Sequence, residues 1–410
     1  MKILRDSLIR TPHVKPRLLM VGLFAVGACL LSGCDNSEVA QPTSAQTNGL
    51  QVEQSLFGVM DNGAQVDLYT LRNAKGMEVK ISTLGGVITS LKVPDRDGKS
   101  GEVILGFDDA ESYLTDMTYA GPLIGRFGNR IAKGKFTLDG QEYNLEINNG
   151  VNHLHSGSTG FHKVIWNAEP VKTETSVGVK LTYVSPDMEG GYPGTLDTTA
   201  VYELNNRNEL SLAFTATTDK PTPVNMTQHT YFNLSGGGSV LDHILTINAD
   251  QYIPVDETAI PLDGLAPVAG TPFDFREGKP ISQDINQEHP QLANAQGYDH
   301  NWVLNNQDPN KMVVGVRLED PASGRIMEII THEPGMQFYS GNFMNGTLTG
   351  KGGKLIEYRN GIALEPQHFP DSPNQPDFPD TILRPGEVYK NTFIYRFTTD
   401  AQTSAASSAH

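Results

Sequence analysis

The chain has 410 residues, with 41 Gly and 25 Pro, a hydrophobic fraction of 38% and a formal net charge of -16. An acidic balance of this size repels phosphate backbones, so nucleic-acid binding is excluded as the main activity, while a neutral small molecule remains admissible. The glycines and prolines are spread along the chain as turns between short strands would require, and the apolar fraction suffices for a core at this length.

At the N-terminus, Lys2, Arg5, Arg10, Lys15 and Arg17 precede an apolar run from Leu18 to Leu31, followed by small residues. That order is the pattern of a signal peptide, and the run is short for a spanning helix. Without residues 1–33 the chain carries 26 basic and 46 acidic residues, a net charge of -20. Leu31-Ser32-Gly33-Cys34 resembles the bacterial lipoprotein box. The resemblance implies lipidation at Cys34, cleavage before it, and acyl chains that hold the protein on a membrane surface without a spanning helix. Asp35 resembles the inner-membrane retention signal of Gram-negative lipoproteins, which implies an exported, periplasmic protein at the inner membrane. Cys29 and Cys34 are the only cysteines, so the mature fold has no disulfide and no cysteine metal site. Residues 34–51, rich in Gln, Ser, Thr, Asn and Ala, read as a flexible tether, and residues 399–410 as a disordered Ser/Ala-rich tail.

Between 52 and 398 the pattern is strand after strand. Asp139-Gly140 lies between Lys135–Leu138 and Glu142–Leu145, a hairpin signal. Asn205–Asn208 separates Thr198–Leu204 from Glu209–Thr217, and Pro321–Gly324 separates Val313–Leu318 from Arg325–Thr331. Asp109–Leu114 and Ile281–Gln287 read as single short helices, and no solenoid or propeller repeat is present. The spacing predicts an all-β, mainly antiparallel sandwich. Within it, residues 225–234 read as one strand. Asn225, Thr227, His229, Tyr231 and Asn233 would share a polar face around one imidazole, while Met226, Phe232 and Leu234 face the core. Such a face suits an uncharged ligand rich in hydroxyls, although an ordinary solvated strand fits the same residues.

Further stretches could carry chemistry. Gly125-Arg126-Phe127-Gly128-Asn129-Arg130-Ile131 sets two arginines in a glycine-punctuated turn. Asn152-His153-Leu154-His155 places two histidines two residues apart. Gly297-Tyr298-Asp299-His300-Asn301-Trp302 and Pro334-Gly335-Met336-Gln337-Phe338-Tyr339 follow, and Gly361-Ile362-Ala363-Leu364-Glu365-Pro366-Gln367-His368 ends a short strand in a carboxylate. There Ala363, Glu365 and Gln367 share a face, with Ile362 and Leu364 toward the core. The His-x-His pair suits a metal, but no third ligand has a telling spacing, so no metal site is assigned. Gly346–Lys351 is one residue short of a phosphate loop and has no Ser/Thr after the lysine.

Taken in order, these motifs resemble the aldose 1-epimerase (galactose mutarotase) family over nearly all of residues 55–397. The resemblance implies a large galactose-mutarotase-like β-sandwich with an open sugar cleft. It implies interconversion of the α and β anomers of free aldoses without metal or organic cofactor, in a monomer or weak dimer. His229 matches the general acid and Glu365 the general base. Asn129, Arg130, His155, Tyr231, Asp299 and Gln337 match substrate-binding positions, Arg130 rather than Arg126 being the matching arginine. Phe127-Gly128, Ser156 and His368-Phe369 depart from the family's usual residues and leave sugar preference open. The chemistry needs a base for the C1 hydroxyl proton and an acid for the ring oxygen. An ionised Glu facing a protonated His satisfies it, with a carboxylate such as Asp299 expected to keep the histidine charged. A non-catalytic carbohydrate-binding protein would favour aromatic platforms, whereas only Trp166 and Trp302 are present. An enzyme of phosphorylated sugars fits the acidic balance poorly.

Overall fold

A computed structural model describes residues 48–407, except Met117, Gln307 and Pro309. All of these belong to one unit, Thr47–His410. The signal-peptide segment, Cys34 and Asp35 lie outside the described residues. No helix among the described residues is long and apolar enough to cross a membrane.

Strand–turn–strand signals become antiparallel ladders. Among the described residues the largest sheet has nine strands, and the long ones alternate as a half-buried surface must. Along Leu196–Asn205 the side chains of Leu196, Thr198, Ala200, Tyr202 and Leu204 are buried, and along Tyr389–Thr399 those of Phe393, Tyr395 and Phe397. A six-stranded sheet orders Tyr231–Phe232, Ile362–Gln367, Gly335–Tyr339, Asp299–Val303, Gln251–Ile253 and Ala266–Pro267 side by side. A five-stranded meander, Gln51–Val59 to Ser100–Glu102, completes the main sheets. One apolar core joins all three: Leu71 and Val79 from the meander, Leu210 and Phe393 from the nine-stranded sheet, Phe338 and Leu364 from the six-stranded sheet.

The expected hairpins form at Lys135–Leu138 with Gln141–Asn144, Leu196–Asn205 with Glu209–Thr218, and Val313–Glu319 with Arg325–Thr331. The Asp109–Leu114 expectation becomes helix Ala110–Thr115, whose first turn is capped by the Asp109 carboxylate accepting from the Ser112 N–H. Ile281–Gln287 yields only a 3₁₀ turn, Ile281–Gln283. The nearby α-helix is instead Pro290–Ala295, with proline at its first turn, where a missing N–H costs nothing.

Two boundaries need correction. The tether does not run to 51: Leu50 is buried in the core, the Asn48 carbonyl accepts from Asn206 Nδ2, and Gln51 already pairs with Arg72. The C-terminal stretch is not structureless from 399: Thr399 ends a strand and Asp400–Ser407 is helical, as its alanines favour.

The segment 225–234 is also not one strand. Thr227–Gln228 pairs with Leu123–Ile124, whereas Tyr231–Phe232 pairs with Ile362–Ala363 in the six-stranded sheet. The chain jogs between them because Gln228 folds back on it, its Oε1 accepting from the Thr230 N–H while its Nε2 donates to the Gly121 carbonyl. The polar row is therefore split. His229 and Tyr231 face one cleft, Asn225 spans the Gly128 and His368 carbonyls, and Asn233 bonds the Gly238 and Asn360 carbonyls elsewhere.

Candidate active site

The outer face of the six-stranded sheet builds the floor of the site. Tyr231, Ala363, Tyr339 and Asp299 stand opposite one another across four strands, and Glu365, Gln337 and Asn301 form the next row. Side chains directly opposite share a face, so three sequence-distant motifs converge by register alone. Ile362 and Leu364 point to the core, as their alternation requires.

A two-stranded ribbon, Arg130–Ile131 with His153–Leu154, forms a second wall. Asn129 (φ 61°) and His155 (φ 49°) both leave it in left-handed conformations, which cost energy for residues with a Cβ and gather at working sites. They lock each other: the His155 N–H donates to the Asn129 carbonyl at 3.0 Å, and the Asn129 N–H donates to His155 Nδ1 at 3.1 Å. Arg130 is held by Asn149, to whose Oδ1 its Nε donates at 3.2 Å, and lies 3.7 Å from Asp299. Arg126 points away from this wall. It is buried, and its guanidinium donates to Ser185 and to the carbonyls of Pro193, Gly194, Ser185 and Pro186.

The cleft between these walls has a volume of about 390 Å³, room for one monosaccharide, and seven expected residues line it: Asn129, Arg130, His155, His229, Tyr231, Asp299 and Glu365. Gln337 does not line it. Its Nε2 donates to Asp299 Oδ1 at 2.7 Å from behind, so it orients a lining carboxylate. Tyr119, Asn149, Tyr339 and Phe343 are among the other lining residues and were not anticipated as site residues. Tyr339 closes a motif already singled out. Tyr119 carried no sequence signal, yet it takes a left-handed backbone (φ 57°) and sets its ring edge-on to His155 at 4.7 Å.

His229 Nε2 and Glu365 Oε1 face each other at 3.5 Å, both almost fully buried. Burial lowers the His229 imidazole to about 4. Burial also pushes the Glu365 carboxyl well above the ordinary carboxylate range, with the Asp299 carboxylate adding to the rise and Arg130 opposing it. The expected picture of an imidazolium kept charged by Asp299 is thus corrected. Asp299 is engaged by Gln337 and Arg130, and its field acts on Glu365. Burial thus favours the uncharged arrangement of the pair, with the proton on the carboxyl.

His155, His229 and Glu365 each bring a possible metal ligand within 4.8 Å of the others, a convergence that spacing along the sequence did not reveal. The His155 tautomer argues against an ion there. Its Nδ1 accepts from a backbone N–H, so Nε2 carries the hydrogen and is a donor into the cleft, not a lone pair for a cation.

Known proteins resemble this chain over most of its length. The family model of aldose 1-epimerase matches residues 67–396. The chain is 45% identical over 352 residues to galactose mutarotase of Rattus norvegicus, covering 85% of this chain and 99% of the relative. It is 40% identical over 339 residues to aldose 1-epimerase of Escherichia coli (strain K12), covering 82% and 96%. Among solved structures, galactose 1-epimerase from Lactobacillus acidophilus NCFM superposes with a TM-score of 0.76 at 32% identity over 85% of this chain and 99% of that one. The chain belongs to the aldose 1-epimerase family.

Proposed function

We propose that the cleft works as follows. The chain interconverts the α and β anomers of free aldoses. Glu365 takes the proton from the C1 hydroxyl, the bond from C1 to the ring oxygen breaks, and His229 delivers a proton to that oxygen. The open aldehyde turns about C1–C2, and the ring closes with the proton transfers reversed. One proton shared by two groups is the stoichiometry this needs. The reaction runs through each group in both senses, so a resting proton on Glu365 and a resting proton on His229 differ only by a shift within the pair. Nε2–H of His155 and the guanidinium of Arg130 donate to sugar oxygens, and Asp299, Asn129 and Tyr231 hold hydroxyls. The observation that carries this reading is the His229–Glu365 approach at 3.5 Å inside a monosaccharide-sized cleft.

Free rather than phosphorylated aldoses fit the lining. Among the described residues Arg130 is its one Lys or Arg, and it already faces Asp299, with Glu365 adding a second acid. Glucose and galactose are the substrates we favour. We place the protein outside the cytoplasm, tethered by acyl chains on Cys34, on the order of its basic, apolar and small residues alone. Polarimetry of freshly dissolved α-D-glucose and α-D-galactose with the purified chain should show anomerisation well above the spontaneous rate. Glucose 6-phosphate should be a poor substrate, and faster turnover of the phosphorylated sugar would overturn the assignment.

A further inference from the structure

The floor of the cleft continues inward as a buried polar layer. Behind Glu365 on the same face lies Gln367, opposite Gly335, while Asn301 stands opposite Gln337. All four polar side chains are buried: Asn301 1%, Gln337 3%, Glu365 2% and Gln367 0% exposed. Among the described residues, five of their polar atoms find no hydrogen-bond partner in the protein: Glu365 Oε2, Gln337 Oε1, Asn301 Oδ1, and both Oε1 and Nε2 of Gln367. A buried polar atom left unsatisfied costs on the order of 1–3 kcal/mol, so five on one patch of sheet demand partners.

The layer is close-set. A Cβ at position 335 would lie 2.6 Å from Asn301 Oδ1 and 2.9 Å from the Gln367 carbonyl, so the Asn301 amide occupies the space above this glycine, beside Gln367. Donors are present but do not reach the acceptors. Gln337 Nε2 is committed to Asp299, which fixes its Oε1 as an acceptor, and Asn301 Nδ2 donates to the Trp302 carbonyl. Each of these two amides keeps a second N–H and Gln367 Nε2 keeps both, yet none of them meets an unpaired oxygen of the layer. Water, with two donors and two acceptors, balances such a set.

We propose that Gln367 and Asn301 are positioning residues for Glu365, acting through water enclosed with them behind the carboxyl. The water bonds Glu365 Oε2 and the amides, and so holds Oε1 toward His229 and the sugar. This rests on Glu365 being the base of the proposed function. Gln367 would touch no substrate, so its role shows in kcat rather than in KM.

Two measurements test it. A high-resolution crystal structure of the wild-type protein should show a solvent peak within about 2.6–3.2 Å of Glu365 Oε2 and of a Gln367 or Asn301 amide. Continuous side-chain packing with no such peak overturns the proposal, whatever the enzyme's activity. In Gln367→Leu, kcat should fall by about 10–100-fold with KM nearly unchanged, the range known for outer-shell groups that orient metal ligands and taken here for an oriented carboxyl. The infrared band of the Glu365 carboxyl, identified by its loss in Glu365→Gln, should move to higher wavenumber as it loses a hydrogen bond. Wild-type kcat with an unmoved band overturns the proposal. If Gln367→Leu does not fold, the wild-type density decides. An inactive wild-type chain that shows the solvent peak would sink the reading of the site while leaving the water shell standing.

Discussion

The six-stranded sheet has two faces that share a backbone and a depth but not a chemistry. On one, Phe232, Trp302, Met336, Phe338, Ile362 and Leu364 are fully buried and join the main apolar core. On the other, Asp299, Asn301, Gln337, Glu365 and Gln367 sit in the same strands one residue out of step, nearly as deep, and several of their atoms go unpartnered within the protein. The first face contributes stability through transfer of apolar surface from water. The second gives up stability to hold the Glu365 carboxyl in a displaced protonation state, as acid–base sites require. Each face should therefore fail in its own way.

The largest effect belongs to the polar face. Glu365→Gln keeps the shape of the side chain but removes the proton acceptor, and kcat for α-D-glucose should fall by about 10²–10⁴-fold. Folding should not suffer, because a buried ionisable group is being replaced by a neutral one. Polarimetry beside thermal melting checks both halves, and activity within a few-fold of wild type removes Glu365 as the base. His229→Asn should give a comparable loss.

Next comes the apolar face. Phe338 is buried among Phe275, Tyr298 and Trp302. Phe338→Ala leaves a cavity there and should destabilise the protein by about 3–5 kcal/mol, read from denaturant unfolding. KM of the folded fraction should hardly move. A large change in KM without loss of stability would show that the two faces are not separable.

The pH dependence of stability sharpens the contrast. Burial raises Glu365, so its contribution is present below the ordinary carboxylate pKa of about 4.3 and is lost as pH rises through the folded value. Glu365→Gln should then melt increasingly above wild type as pH rises, and the two curves should converge near pH 4. His229 has the opposite sign. Its folded value near 4 lies below the ordinary value of about 6.5, so its contribution is present above that and is lost as pH falls through about 4. His229→Asn should lose less stability than wild type over that interval. Melting temperatures that run parallel for all three proteins would mean that neither group is displaced.

Legibility followed the same division. The apolar alternation of Leu196–Asn205 and Glu209–Thr218 and the Asp139-Gly140 turn are local signals, and their strands form within a residue or two of expectation. The cleft is not local. That Glu365 stands opposite Gln337, and Gln337 opposite Asn301, is a matter of register between strands far apart in the chain. Only the motif resemblance brought those residues together beforehand. It carried no information on the side chains between them. It could not show that Gln337 serves Asp299 rather than lining the cleft, or that Tyr119 enters it through a strained backbone. The split of residues 225–234 escaped because Gln228 overrides strand propensity by bonding the chain at Thr230 and Gly121.

The smallest predicted effect lies at the rim of the polar face. Arg130 meets Asp299 only at 3.7 Å, so its orientation owes more to Asn149, whose Oδ1 accepts from Nε at 3.2 Å. Asn149→Ala removes one ordinary hydrogen bond, worth about 0.5–1.5 kcal/mol. Freed of it, the guanidinium keeps its charge and its carboxylate partner but samples more rotamers, so substrate binding should weaken by no more than about tenfold. The ring-opening pair does not contact Asn149, so kcat should change less than KM. A kcat that drops as far as in Glu365→Gln would instead show that Arg130 must be fixed for the chemistry itself, and would move it from holding the sugar to stabilising the charge that develops as the ring opens.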